Sequence, residues 1–169
     1  IPFTLSKAIT LEAESRTLEI AYKLSDLPPD FRQHLAVEFG FAGMPAQAVG
    51  RFFFDDLHRN LGELGSRLDL PLVQSIGLMD DWLGIDARLS VGAATNGSRA
   101  GVWTFPIQSV SQSEGGFELV HQSAVVMPHW LVTPDANGVW MVSLRLTIAP
   151  VKADRLLEPL PSKRTACPL

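Results

Sequence analysis

Apolar and polar residues alternate with a period of two along much of the chain. The alternation is strict in four segments, which are 18–24, 35–41, 85–91 and 140–148. Successive side chains of a β-strand point to opposite faces of the sheet, so strict alternation predicts strands with one face in a core and the other in water. Such strands are typical of antiparallel sheets. The pattern therefore predicts a fold dominated by antiparallel strands.

Two further segments, 102–110 and 117–132, carry apolar residues at both parities. We expect these strands to be covered on both faces and therefore to lie centrally in a sheet. Asn-Gly pairs at 96–97 and 137–138 predict tight turns, because these residues tolerate the positive φ that short hairpins demand. The predicted turns therefore lie between predicted strands.

A single segment, 55–68, suggests helix, but Gly62 and Gly65 restrict it to a turn of helix within a long loop. Because no helices separate the strands, the sequence excludes an α/β fold. We predict an all-β domain over residues 1–150, built as a sandwich of two antiparallel sheets. Residues 151–169 contain three prolines and no periodicity, and they are predicted to form a tail.

Composition narrows the class of protein. The 169 residues are 46% hydrophobic and 19% charged, as in one globular domain. A net charge of −4 argues against nucleic-acid binding, which depends on neutralising phosphates. The longest apolar stretches are too short to span a membrane. The chain begins without Met and without a basic, signal-like segment, so we expect a cytoplasmic protein and the cut edge of a larger polypeptide.

The sequence offers no metal or cofactor site. Cys167 is the only cysteine, which excludes an intramolecular disulfide and a cysteine-based zinc site. His121 and His129 share one predicted strand but lie about 26 Å apart, too far to share an ion. Asp80 and Asp81 offer oxygens to Ca²⁺, but their surroundings lack the spacing of an EF-hand loop. We therefore predict that the chain binds neither a metal nor a cofactor.

Catalysis by this chain would require a pair of carboxylates, since no nucleophile elbow is present. Glu114 and Glu118 flank a Gly-Gly turn, and a retaining glycosidase needs two carboxyl groups about 5–5.5 Å apart. Glu118 enters an otherwise apolar strand, where burial would raise its pKa. The alternative is that both acids satisfy backbone groups. We predict no catalytic residue.

Exposed aromatic rings give a second functional signal. Trp140 shares parity with the apolar side of its strand and is predicted to lie in the core, whereas Trp82 lies in a turn and is predicted at the surface. An exposed indole offers a flat face on which a sugar ring can lie. The candidate carbohydrate contacts are Trp82, Trp103, Gln112, Glu114, Glu118 and Trp130. The alternative role of the tryptophans is packing in the core. The alternative role of the polar residues is to hold the turn at 115–116.

Several motifs resemble the C-terminal β-sandwich domain of glycoside hydrolase family 57, the α-amylase and 4-α-glucanotransferase group. The most specific is Val-Ser-Gln-Ser-Glu-Gly-Gly-Phe-Glu, which ends at Glu118. The other matching segments are Asp-Asp-Trp-Leu-Gly at 80–84, Trp-Thr-Phe-Pro-Ile at 103–107, His-Gln at 121–122 and Pro-His-Trp at 128–130. With the opening strands at 18–41, the resemblance covers residues 3–149.

The resemblance implies a lectin-like or galactose-mutarotase-like sandwich that follows an N-terminal (β/α) barrel. In that family the nucleophile and the general acid belong to the barrel, so no residue here inherits a catalytic role. The predicted function is that of a non-catalytic domain of an α-glucan-acting enzyme, which packs on the catalytic barrel of the same polypeptide and contacts α-glucan. The alternatives are a free-standing carbohydrate-binding module and a mutarotase-like enzyme that uses Glu114 and Glu118.

Overall fold

The computed structural model describes residues 2–113 and 115–151. Within these ranges the chain forms twelve β-strands and no helix. Glu114 and almost all of the predicted tail, 152–169, lie outside the described residues. None of the described residues forms a helix that is long and apolar enough to cross a membrane.

The strands form two sheets in which all described pairings are antiparallel. The larger sheet contains, in spatial order, β1 (Thr4–Leu11), β2 (Thr17–Ser25), β12 (Trp140–Pro150), β9 (Ile85–Val91), β8 (Ser75–Asp80), β5 (Arg51–Phe54) and β6 (Asn60–Glu63). The smaller sheet contains β3 (Gln33–Ala36), β11 (Gly116–Val132), β10 (Ala100–Ser113) and β7 (Leu68–Val73), and β4 (Phe39–Ala42) also pairs with β11. The predicted all-β, two-sheet architecture is confirmed.

The core lies between the inner faces of the two sheets. Trp130 of β11 and Trp140 of β12 meet there edge to face, with ring centroids 5.8 Å apart. The apolar positions of β2, β9 and β12 supply much of the core, while their alternate residues remain at least partly exposed. The alternation seen in the sequence therefore corresponds to one covered face on each of these strands.

The alternating segment 35–41 does not form one continuous strand. It divides into β3 and β4, which pair with β11 on either side of Pro128. Proline has no N–H to give to a neighbouring strand, so the ladder is interrupted at this position. Val37 N still donates to Pro128 O at 3.0 Å, and this bond keeps the two short strands on the same edge.

The glycines of the two Asn-Gly turns have the predicted positive φ, but the turns connect β9 to β10 and β11 to β12, which lie in different sheets, so neither turn closes a β-hairpin. Gly97 and Gly138 have φ values of 78° and 71°. At the second turn, Asp135 Oδ1 accepts hydrogen bonds from the N–H groups of Asn137 and Val139, both at 2.9 Å. A Cβ on Gly138 would lie 2.7 Å from the carbonyl oxygen of Leu27, so glycine is required there for space as well as for φ.

The prediction of a helical turn within 55–68 is wrong. Asp55 Oδ1 accepts hydrogen bonds from Leu57 N at 3.0 Å and from Arg59 N at 2.8 Å. This side chain supplies the acceptor that a turn of helix would take from the backbone, and the chain reverses into β6. A β-hairpin therefore replaces the predicted helical turn.

The prediction that β10 and β11 are covered on both faces holds for only part of their length. Residues 124–126 are fully buried, although they include both parities. Beyond a bulge after Ile107, the two strands continue as a hairpin in which residues 116–120 are all exposed. Apolar residues at both parities thus mark a central strand at one end and a projecting hairpin at the other.

Candidate functional site

The turn between β8 and β9 presents an exposed tryptophan. Trp82 is 80% exposed, and it follows Asp80, the last residue of β8, which is completely buried. Asp80 accepts a hydrogen bond from Leu83 N at 2.9 Å and forms an ion pair with Arg51 Nε at 2.7 Å. The same carboxylate therefore fixes the turn and joins it to β5.

Arg51 also contacts the indole. Its guanidinium carbon lies 5.3 Å from the centroid of the Trp82 ring, within the range of a cation–π interaction. Pairing of β5 with β8 places Arg51 directly opposite Asp80, so the position of the cation follows from strand register. Trp82 is thus oriented from one side and accessible over most of its surface.

The two aspartates of this turn differ in electrostatics. Burial raises the pKa of Asp80, but hydrogen bonds from Arg51 and from the backbone of Leu83 and Trp82 outweigh it and hold the pKa below its ordinary value. For Asp81, burial and the neighbouring charge of Asp80 both raise the pKa. Asp80 is therefore a fixed anion, and Asp81 is the more readily protonated group.

Sequence reasoning found Trp82 but missed Arg51. The signal that could have suggested a cation is the position of Asp80 at the end of an apolar strand, since a buried carboxylate requires a partner. The sequence does not say which of its arginines is that partner. The assignment depends on the register between strands separated by more than twenty residues.

The hairpin that contains the 109–118 segment has two different faces. Direct cross-strand pairs share a face. One face carries the exposed apolar residues Val110, Leu119 and Phe117, of which the first two are paired. The opposite face carries the pair Ser111 and Glu118. The exposed Val120 shares this opposite face, and Gln112 is paired with Phe117, so the hairpin exposes apolar side chains on both faces.

This arrangement corrects the expectation that polar residues of the segment are buried in a network. Gln112 and Glu118 are both exposed. The predicted burial of Glu118 is wrong because the smaller sheet projects here with exposed side chains on both faces. The structure therefore does not support a stabilising role for these two side chains in the turn.

The remaining candidate tryptophans lie apart from Trp82. Trp130 is 1% exposed and belongs to the core, so it offers no surface to a ligand. Trp103 is half-buried and stacks on His129 with ring centroids 3.7 Å apart. Burial and the nearby His34 lower the pKa of His129, which favours the neutral ring in this stack. Trp82 follows β8 of the larger sheet, whereas Trp103 and Trp130 belong to β10 and β11 of the smaller sheet, and Glu114 lies outside the described residues, so a shared site for the candidate carbohydrate contacts stays a prediction.

Comparison with protein-family models gives a match, described as alpha-amylase/4-alpha-glucanotransferase, C-terminal, over residues 1–144. The chain belongs to this family. The resemblance to the C-terminal domain of these enzymes is thereby confirmed. A comparison with curated proteins finds no match.

One solved structure similar to this chain is the 4-alpha-glucanotransferase from Thermococcus litoralis, with 15% sequence identity and a TM-score of 0.48. The match covers 89% of this chain and 19% of that chain.

Only one residue of the predicted carboxylate pair of this alpha-amylase/4-alpha-glucanotransferase C-terminal domain lies among the residues that the structure describes. Glu118 is exposed, and Glu114 lies outside the described residues, so the separation of this pair stays a prediction. Among the residues that the structure describes, no group of three or more His, Cys, Asp or Glu side chains is arranged to hold a metal ion. The chemistry available at the Trp82 turn is ring stacking and hydrogen bonding.

Proposed function

We propose that this chain is the non-catalytic C-terminal domain of a family 57 glycoside hydrolase or glucanotransferase that acts on α-glucan. In this proposal the domain packs on the catalytic barrel of the same polypeptide. The family match over residues 1–144 carries the proposal. The short coverage of the matched solved chain, 19%, supports a domain within a longer enzyme.

We further propose that Trp82 contacts the glucan. The support is the exposed indole, its orientation by Arg51, and the fixed carboxylate of Asp80 beneath it. An apolar ring face suits the CH groups of a pyranose ring. Trp82 is preferred to Trp103 because Trp82 is 80% exposed, whereas Trp103 is half-buried against His129.

Retention on immobilised amylose tests the carbohydrate contact. The full-length protein should be retained, and Trp82→Ala should reduce retention about tenfold, which corresponds to about 1.4 kcal/mol. Phe117→Ala is the matched control because Phe117 is an equally exposed aromatic residue on a different part of the domain. Equal retention of the wild type and Trp82→Ala would contradict this assignment.

Turnover of maltooligosaccharides tests the non-catalytic role. Full-length enzyme with Glu118→Gln should keep its kcat, because in our proposal the reacting carboxylates belong to the barrel. Loss of turnover in Glu114→Gln or Glu118→Gln would instead favour the mutarotase-like alternative, in which this pair performs the chemistry.

A further inference from the structure

The apolar inner face of the larger sheet continues beyond the region that the rest of the domain covers. Ile9, Ile20 and Leu144 lie side by side on β1, β2 and β12. Ile20 and Leu144 are buried in the core, but Ile9 is 56% exposed. Since direct neighbours across antiparallel strands share a face, Ile9 points toward the core side, where the described residues leave more than half of its surface uncovered.

The same pattern recurs one row further along the sheet. Leu11, Leu18 and Leu146 are again neighbours on the three strands. They line one wall of an open groove of about 620 Å³, whose other apolar residues include Ile85 and Ile148. We define the open inner face as the exposed residues Leu5, Ile9, Leu11 and Ile148 together with the half-buried Leu18 and Leu146.

We propose that the catalytic part of the same polypeptide packs against the open inner face. This inference rests on the proposed function, and it names the surface that the packing uses. A contiguous exposed apolar surface of this kind marks an interaction site. The family is one of C-terminal domains, and this chain spans 19% of a matched solved chain, so a large neighbouring part is expected in the same polypeptide.

Covalent attachment favours the catalytic part of the polypeptide as the occupant of the open inner face. A tethered partner has an effective concentration near the millimolar range, so a surface of modest area is enough to hold it. Among the described residues the groove is lined mainly by aliphatic side chains, with Ser15 and Arg16 as its polar side chains and without the aromatic ring that sugar recognition favours. Glucan is therefore a poor occupant of this face.

A second copy of the chain is disfavoured by Lys7. This residue lies between Leu5 and Ile9 on the same face of β1, with its Nζ 5.5 Å from the Tyr22 ring. Antiparallel pairing of two β1 edges centred on residue 7 would place the two Lys7 side chains directly opposite each other on the same face. Lysine on an edge strand opposes such pairing. Against a tethered neighbour, one Lys7 can keep its ammonium group at the rim.

The test compares two lysine substitutions in the full-length protein. Ile9→Lys places a charge on the open inner face, and Thr10→Lys places the same charge on the opposite face of the same strand. We expect Ile9→Lys to separate thermal unfolding into two transitions and to raise proteolytic cleavage between the two parts about tenfold. Thr10→Lys should leave a single transition and the wild-type cleavage rate.

Hydrogen exchange of the wild-type full-length protein supplies a measurement that needs no variant. The exposed edge strand, 4–11, should exchange as slowly as the core strand β12. If the two parts of the Ile9→Lys variant still unfolded together, and residues 4–11 of the wild type exchanged rapidly, the choice of surface would be wrong. The proposed packing itself would remain supported by the coupled unfolding. Independent unfolding of the two parts in the wild type would overturn the packing itself. Protection of 4–11 that grows with protein concentration would assign the face to a second copy.

Discussion

Replacing Asp80 by Asn should destabilise the domain strongly because it leaves a guanidinium without its anion. Asp80 is completely buried, and the side chain of Arg51 is only 11% exposed. The Nε–Oδ2 distance of 2.7 Å and the bond from Leu83 N at 2.9 Å show that the carboxylate serves both partners. Breaking one side of a buried pair costs about 3–5 kcal/mol.

We expect about 3 kcal/mol for Asp80→Asn, at the lower end of that range, since asparagine keeps an acceptor for Leu83 N and Arg51 retains some access to water. For a domain of this size, 3 kcal/mol corresponds to a fall in Tm of about 6–12 °C. The pKa of Asp80 is lowered on folding, so its contribution is fully present above the ordinary carboxyl pKa. The difference between wild type and variant should shrink as the pH falls toward the lowered value.

Urea unfolding at neutral and acidic pH measures this difference. Asp81→Asn is the matched control, because burial and the charge of Asp80 raise the pKa of Asp81, so its ionised form is disfavoured in the folded state. That variant should equal or slightly exceed the wild type in stability at neutral pH. If Asp80→Asn stayed within 1 kcal/mol of the wild type, the Arg51–Asp80 pair would not hold this turn.

Three substitutions, one at a turn and two at phenylalanines, test the fold. Gly138→Ala should cost about 1–3 kcal/mol, because its backbone has φ of 71° and a new Cβ would approach Leu27 O to 2.7 Å. An unchanged urea midpoint would show that the turn relaxes freely. Phe53→Ala should cost about 3–5 kcal/mol because that ring is fully buried, whereas Phe117→Ala, 77% exposed, should change stability by less than about 0.5 kcal/mol. Equal effects of the two phenylalanine variants, again measured by urea unfolding, would mean that the hairpin packs on the core.

The predictable part of the fold is the part in which one face of a strand is covered and the other is not. In β2, β9 and β12 the side-chain period of two is also the period of burial, so the sequence displays it directly. The Asn-Gly turns were predictable for a similarly local reason, since the required φ is a property of the residue itself.

The projecting hairpin could not be predicted by the same reasoning. Val110 and Phe117 lie on one face and Val120 on the other, and a strand buried on both faces has the same distribution of apolar residues. The difference between the two cases is set by how far neighbouring strands extend, which is a tertiary property. Predicted burial of Glu118 failed for this reason.

The ion pair beneath Trp82 connects stability with the proposed carbohydrate contact. An apolar pair of similar volume would fill the space under the turn without the cost of burying two charges. The Arg51–Asp80 pair adds orientation, because Asp80 fixes the turn through Leu83 N and Arg51 lies against the indole. Asp80→Asn should therefore reduce amylose retention even under conditions where the domain remains folded. If amylose retention were lost in Trp82→Ala but kept in Asp80→Asn, the Trp82 ring would contact the glucan without needing the Arg51–Asp80 pair to orient it.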